Sequence, residues 1–373
     1  ALGDGTSTVR NIAFSKDIEA TLRCMEALGA EWFRQNDTTI CVSGIRPRNF
    51  DELPHFDCGE SGSTLRFLIP IALAVAGGGI FTGHGRLMER PQKPYFDLFD
   101  EKGIFRKQEN GVLTVQGRLT PGEYRLPGNV SSQFFTGLLY ALSLLDAPST
   151  VVSTTALESA NYIDMTIEAM EAAGVSVSSD RAQNHFTVNP SPYHPFDSTV
   201  EADWSQAGFW YAAIALGNAV EPMGMNAFST QGDMVILSHF LKLTQVGDVT
   251  IDVSGCPDLV PPLAVMAAVR EGTTHLVNAA RLRIKESDRL ATVTQELNRL
   301  GANILEFEDH LVIHGVSTLR GGSVQAHNDH RIAMMTAVAA TRCAAPVKLI
   351  GAECGKKSYP NFWEDYEKLG GKV

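Results

Sequence analysis

Several things this chain of 373 residues lacks narrow what it can be. Its six cysteines (Cys24, Cys41, Cys58, Cys256, Cys343, Cys354) include no Cys-x-x-Cys pair. Neither a zinc site nor a disulfide framework is therefore expected. Together with the lack of an apolar leader at the start of the sequence, the scattered thiols predict a reducing, cytoplasmic setting. The longest apolar run, Phe67 to Ile80, contains Pro70 and three glycines and is too short to span a bilayer. Positive charge is in deficit: the net charge is −11 and the isoelectric point is near 5.4. That argues against a general partner for nucleic acid or for membrane surfaces. A hydrophobic content of 44% supports sizeable cores, and the length suits two domains.

What is present is a repeat. Helical sequence, then a glycine, then a short β-like run recurs at Gly29, Gly103, Gly174, Gly301 and Gly370, with spacings of 74, 71, 127 and 69. Each glycine suits the left-handed position that ends a helix. Between them recurs a polar helix start followed by a long apolar helix, marked by Ser63, Ser132, Ser205, Asp258 and His330. These markers are 69, 73, 53 and 72 residues apart. The interval of 127 is close to two periods, and the short gap of 53 falls inside it. About eighteen residues are thus missing near Leu241 to Asp248 relative to the other repeats. One period back from Ser63 lies ahead of Ala1, so the native chain is expected to be longer at its N-terminus. Units of about seventy residues that mix strands with two helices are small α/β modules, and three per domain make two similar halves. The expected boundary lies near Glu201-Ala202, giving domains 1–201 and 202–373. The long apolar stretches Phe134–Leu145 and Leu259–Val269 predict buried helices surrounded by sheets.

The densest charge lies in Arg281-Leu282-Arg283-Ile284-Lys285-Glu286-Ser287-Asp288-Arg289, which holds four cations and two carboxylates. Leu290, Val293, Leu297 and Leu300 follow at helical spacing. Ser287 or Asp288 can cap that helix, so the charges sit at a helix N-terminus, a place suited to anions.

These pieces, in this order, resemble the 5-enolpyruvylshikimate-3-phosphate (EPSP) synthase family of enolpyruvyl transferases. The resemblance runs from Gly5 to Val373. In the first half it rests on Gly59-Glu60-Ser61-Gly62-Ser63-Thr64-Leu65-Arg66, Glu89-Arg90-Pro91, Ser131-Ser132-Gln133-Phe134 and Tyr162-Ile163-Asp164. In the second half it rests on Pro257-Asp258, Arg283 to Arg289, Asn328-Asp329-His330-Arg331 and Lys357-Ser358-Tyr359-Pro360. It implies two inside-out α/β domains, each of three βαβαββ repeats, with an active-site cleft between them. It implies transfer of the enolpyruvyl group of phosphoenolpyruvate to the 5-hydroxyl of shikimate 3-phosphate, by a cytoplasmic monomer.

Both substrates carry phosphate and carboxylate, so several cations are needed, Arg for bidentate contacts and Lys as a point charge. By resemblance, Gly62, Arg90, Gln133, Arg289, Arg331 and Lys357 bind phosphoenolpyruvate. Ser131, Ser132, Gln133, Ser159, Asp258 and Lys285 bind shikimate 3-phosphate. Asp258 is implied as the base, Glu286 as the acid, and Lys285 as a stabiliser of charge on the oxygens. Tyr162 is either a neighbour of the shikimate ring or a structural tyrosine. Arg66 is either a phosphate ligand or half of an ion pair. For His330 a hydrogen-bonding role that orients the Arg331 loop is expected. The family's inhibitor is glyphosate, and Gly62 is in keeping with sensitivity to it. A Lys-Ser…Arg element on the family's first strand and helix has no match here and falls where the period places the start ahead of Ala1. The sister transferase that acts on UDP-N-acetylglucosamine would be expected to carry a reactive cysteine near Gly85 to Asp97, and none lies there.

Overall fold

The computed structural model describes residues 1–46 and 49–373. The chain divides into two compact units, Ala1–Val200 and Glu201–Val373. In the first unit, β1 (Thr6–Arg10), α1 (Lys16–Ala27), β2 (Glu31–Asn36) and β3 (Thr39–Ser43) come first. A full βαβαββ module follows: β4 (His55–Asp57), α2 (Gly62–Ala76), β5 (Gly78–Thr82), α3 (Lys93–Lys102), β6 (Phe105–Glu109) and β7 (Val112–Gln116). The next repeats it with β8 (Glu123–Leu126), α4 (Gln133–Leu142), β9 (Ser149–Ser153), α5 (Ala160–Ala172), β10 (Val177–Asp180) and β11 (His185–Val188). A short β12 (Ser198–Thr199) ends the unit.

The second unit opens with α6 (Trp204–Ala215) and α7 (Ile236–Leu243). One full module follows: β13 (Val249–Asp252), α8 (Val260–Val269), β14 (Thr273–Val277), α9 (Arg289–Arg299), β15 (Asn303–Glu306) and β16 (Leu311–His314). The last elements are β17 (Gly322–Gln325), α10 (His330–Ala340), β18 (Val347–Ile350) and α11 (Phe362–Lys368).

Every four-stranded sheet has one topology. The two strands of the βαβ part pair in parallel, and the closing hairpin adds antiparallel, giving the orders β4-β5-β7-β6, β8-β9-β11-β10 and β13-β14-β16-β15. The first sheet reads β12-β1-β3-β2, with β12 from the far end of the unit in the leading place. The inner hairpin strands alternate, burying Ile40 and Val42, Leu113 and Val115, Phe186 and Val188, and Leu311 and Ile313 on one face. The outer hairpin strands are edges and carry charge, as in Arg106-Lys107 and Glu306, which blunts edge pairing.

The leading helices make the cores. In the first unit α2 packs on α4, and in the second α6, α8 and α10 pack on one another. All residues from Val260 to Ala268 are buried, so α8 is apolar all round, as the sequence predicts for a buried helix. The helix in the Phe134–Leu145 stretch is shorter than its apolar run, because the chain turns after Leu142.

All five marker glycines have positive φ, from +68° at Gly103 to +99° at Gly29. A strand follows four of them; residues 371–373 after Gly370 form none. The shortfall in the repeat is visible as a missing hairpin. Among the described residues four hairpins close modules (β2–β3, β6–β7, β10–β11, β15–β16), but only residues 244–248 separate α7 from β13. Among the described residues no helix is long and apolar enough to cross a membrane.

Candidate active site

In the second unit the chemistry collects where strands hand over to helices. Asp258 lies in a 3-10 turn, Pro257–Leu259, that leads into α8. A second such turn, Ala280–Ile284, delivers Lys285 and Glu286 just before α9, whose first residue is Arg289. Asp288 caps that helix by accepting the Ala291 N–H at 3.1 Å. Asp329 caps α10 in the same way and sets Arg331 in its first turn. Lys357 closes a third 3-10 turn, Ala352–Lys357.

Arg289 is the hub. Its side chain is 1% exposed, and every guanidinium nitrogen binds a carboxylate. Nε donates to Asp329 Oδ2 at 2.8 Å, Nη1 to Asp258 Oδ1 at 2.7 Å, and Nη2 to Glu286 Oε2 at 2.7 Å and Asp329 Oδ1 at 3.2 Å. Asp258 also takes Lys285 Nζ at 3.2 Å and Arg331 Nη2 at 3.2 Å. Lys357 Nζ donates to the Asn328 carbonyl at 2.6 Å. Lys285, Arg289, Arg331 and Lys357 thus lie among Asp258, Glu286 and Asp329, with Arg281 acting on Lys285 and Asp233 on Asp258.

The electrostatics follow from this crowding. Burial alone would raise Asp258, but Arg331, Lys285 and Arg289 outweigh it and hold the carboxyl well below its usual range. Burial lowers Lys285, and Asp258 offsets only part of that. For Arg289 burial opposes the charge, yet Asp329, Glu286 and Asp258 keep it firmly protonated. His330 is held down to about 4, first by burial and then by Arg331, so its ring is neutral at pH 7. Its Nδ1 is buried without a hydrogen-bond partner among the described residues. Beside it, Asp329 holds the Arg331 loop, its carboxylate accepting the Arg331 N–H at 3.0 Å.

The first unit holds the remaining polar candidates. Gly62 opens α2 behind the Ser61 cap, and a Cβ there would lie 2.5 Å from Arg90 Nη1. Only a bare backbone lets the guanidinium come so close to the helix start. Gln133 opens α4, its N–H donating to Ser131 Oγ at 3.3 Å, with Ser132 buried beside it. Ser159 is buried at the start of α5 in a left-handed conformation, φ +54°. Tyr162 is half-buried one turn on.

Arg66 lies beside Gln133. It is buried, lies 4.7 Å over the Phe134 ring, and donates to Gln133 Oε1 at 2.8 Å and to the Pro91 carbonyl at 3.1 Å. That pins the Gln133 amide with its oxygen inward and leaves its NH2 to donate elsewhere. The sequence reading missed this, as it missed Asp329 as the anchor of Arg289. It also missed Asp233, a buried acid raised to about 6 by burial first and then by Asp258, and bonded to the Ser205 hydroxyl.

One prediction arises here. Gly62→Ala pushes on the mobile end of Arg90 rather than on backbone, so the melting temperature is expected to stay put. If Arg90 holds an anionic substrate, a displaced guanidinium is expected to raise KM for that substrate roughly tenfold or more while kcat changes little. An unchanged KM in steady-state kinetics would show that Arg90 does not meet that substrate.

A family model described as EPSP synthase (3-phosphoshikimate 1-carboxyvinyltransferase) matches residues 1–366. The chain belongs to this family. Among its relatives, the 3-phosphoshikimate 1-carboxyvinyltransferase of Clostridium kluyveri is 44% identical, over 100% of this chain and 91% of its own. That of Clostridium acetobutylicum is 43% identical with the same coverage. An EPSP synthase structure from Acinetobacter baumannii superposes with a TM-score of 0.78 at 24% identity, covering 99% of this chain and 91% of that one, and so shares its two-domain α/β fold.

Proposed function

We propose that this chain transfers the enolpyruvyl group of phosphoenolpyruvate to the 5-hydroxyl of shikimate 3-phosphate, releasing phosphate, with the residues above in defined roles. The carrying observation is Asp258, a carboxylate held ionised by three cations beside the acid Glu286. On this reading the first unit holds shikimate 3-phosphate through Ser131, Ser132, Ser159 and Gln133, while Arg90 and the Gly62 backbone meet phosphoenolpyruvate. The second unit adds Arg289, Arg331 and Lys357 for phosphoenolpyruvate and Lys285 for the shikimate. The protein acts as a cytoplasmic monomer without cofactor, nucleic acid or membrane.

The proton balance assigns the acids and bases. As the 5-hydroxyl oxygen bonds to C2 of phosphoenolpyruvate, its proton passes to Asp258, and Glu286, which takes up a proton once the substrate anions draw Arg289 from it, delivers that proton to the methylene carbon. Restoring the double bond then requires the methyl to return its proton to the Glu286 carboxylate as the C–O bond to phosphate breaks, and the proton on Asp258 leaves with the phosphate. A base held well below its usual pKa is weak at rest. Arriving phosphate and carboxylate groups compete for Arg331, Lys285 and Arg289, which strengthens Asp258 only once both substrates are in place. Each cation about 4 Å from an anion contributes roughly 4 kcal/mol before desolvation at an effective dielectric near 20.

The test is phosphate release from phosphoenolpyruvate, offered shikimate 3-phosphate and UDP-N-acetylglucosamine in turn. Release with the first alone is expected; release with neither overturns the reading. Glu286→Gln is expected to lose about 10²–10⁴ in kcat. Near-normal turnover with unchanged affinities would remove Glu286 as the acid.

A further inference from the structure

Helix α9 carries a carboxylate on its inner face. Glu296 is fully buried and accepts three donors: the Gln325 N–H at 3.0 Å, Arg299 Nη1 at 3.1 Å and His327 Nε2 at 2.7 Å. Arg299 supplies the counter-charge from a partly exposed position. An ionised carboxylate only accepts, so His327 Nε2 carries a proton.

The backbone at this point is unusual. His327 and Asn328 are consecutive non-glycine residues in the left-handed region, φ +52° and +55°. Such a pair persists only where its surroundings hold it. Here the end of β17 and the His327 ring are both fastened to Glu296, and the Asp329 N–H closes the turn on the Ala326 carbonyl at 2.8 Å. The turn then feeds the site three times in succession. The Asn328 carbonyl takes Lys357 Nζ, the Asp329 carboxylate takes Arg289, and Arg331 reaches Asp258.

We propose that Glu296 and His327 are positioning residues, a clamp that holds this left-handed turn so that the Asn328 carbonyl sets Lys357 for the anionic groups of phosphoenolpyruvate. Neither touches substrate; both act through the turn. The kinetic half of the proposal rests on the reading that Lys357 meets phosphoenolpyruvate.

His327→Leu removes the hydrogen bond and keeps apolar bulk, and His327→Gln restores a side-chain N–H near the same place. His327→Leu is expected to raise KM for phosphoenolpyruvate roughly tenfold, with kcat and KM for shikimate 3-phosphate within about twofold, and His327→Gln to recover most of the loss. A second readout needs no turnover. The rate of reductive methylation of Lys357, followed by peptide mass spectrometry without substrates, is expected to rise in His327→Leu and return in His327→Gln. If His327→Leu does not fold, Glu296→Gln, which keeps shape and loses charge, is expected to speed Lys357 methylation instead. Unchanged methylation in a folded variant, or both KM values rising together, overturns the clamp. A wild type that releases no phosphate but whose Lys357 responds to these variants defeats the enzymatic reading and leaves the clamp standing.

Discussion

Replacing Arg289 by methionine is expected to unfold the second unit at neutral pH, or to bring its transition close to room temperature. Three carboxylates, Asp258, Glu286 and Asp329, converge on a guanidinium that is 1% exposed, and Asp329 itself is fully buried. Without the cation these groups face one another in a dry place. Breaking one buried ion pair costs about 3–5 kcal/mol, and here three share the lost partner. The pH dependence separates this from a packing defect. In the wild type, burial holds His239 and His330 down to about 4, so stability present above the ordinary histidine value near 6.5 is lost as pH falls from there toward 4. Asp258 and Asp329 are also depressed, and their contribution is lost only at still lower pH. In Arg289→Met the stranded carboxylates shift the other way, above their unfolded values, and a raised acid is most stable protonated. The gap between variant and wild type is therefore expected to be largest near pH 8 and to narrow toward pH 5. Thermal melts across that range decide it, and a pH-independent gap would mean that Arg289 acts by volume alone.

Asp258→Asn is expected to abolish most turnover while leaving the fold in place. The amide keeps the shape but cannot take the proton of the attacking hydroxyl, so kcat is expected to fall about 10³-fold. Affinity is expected to move the opposite way. Lys285, Arg289 and Arg331 lose a competing anion, so KM for phosphoenolpyruvate is expected to hold or drop. A variant with weakened binding and near-normal kcat would make Asp258 a substrate ligand and remove it as the base.

How legible all this was in the sequence depended on how local the signal was. Helix stops at glycine and starts at Ser61, Asp288 and Asp329 are set by groups within four residues, and the repeat of glycine stops and polar helix starts survived into the fold. The missing hairpin was legible for the same reason, as a defect in spacing. What escaped were partners far along the chain. Arg66 and Gln133 are 67 residues apart, Arg289 and Asp329 40, Ser205 and Asp233 28. Glu296 left a trace. It falls on the same helical face as Val293, Leu297 and Leu300, and a carboxylate on an apolar stripe is a buried group in need of donors.

The shortened repeat also says where this architecture keeps its strength. Helices α6 and α7 lack a closing hairpin, yet α6 packs normally because its partners are α8 and α10, not a sheet of its own. In each module the leading helix belongs to a shared bundle, and the hairpin is an outer attachment. Residues 244–248, which stand where the hairpin would be, are instead fastened to the next module: Arg270 donates to the Gln245 and Gly247 carbonyls and the Thr273 N–H to Asp248.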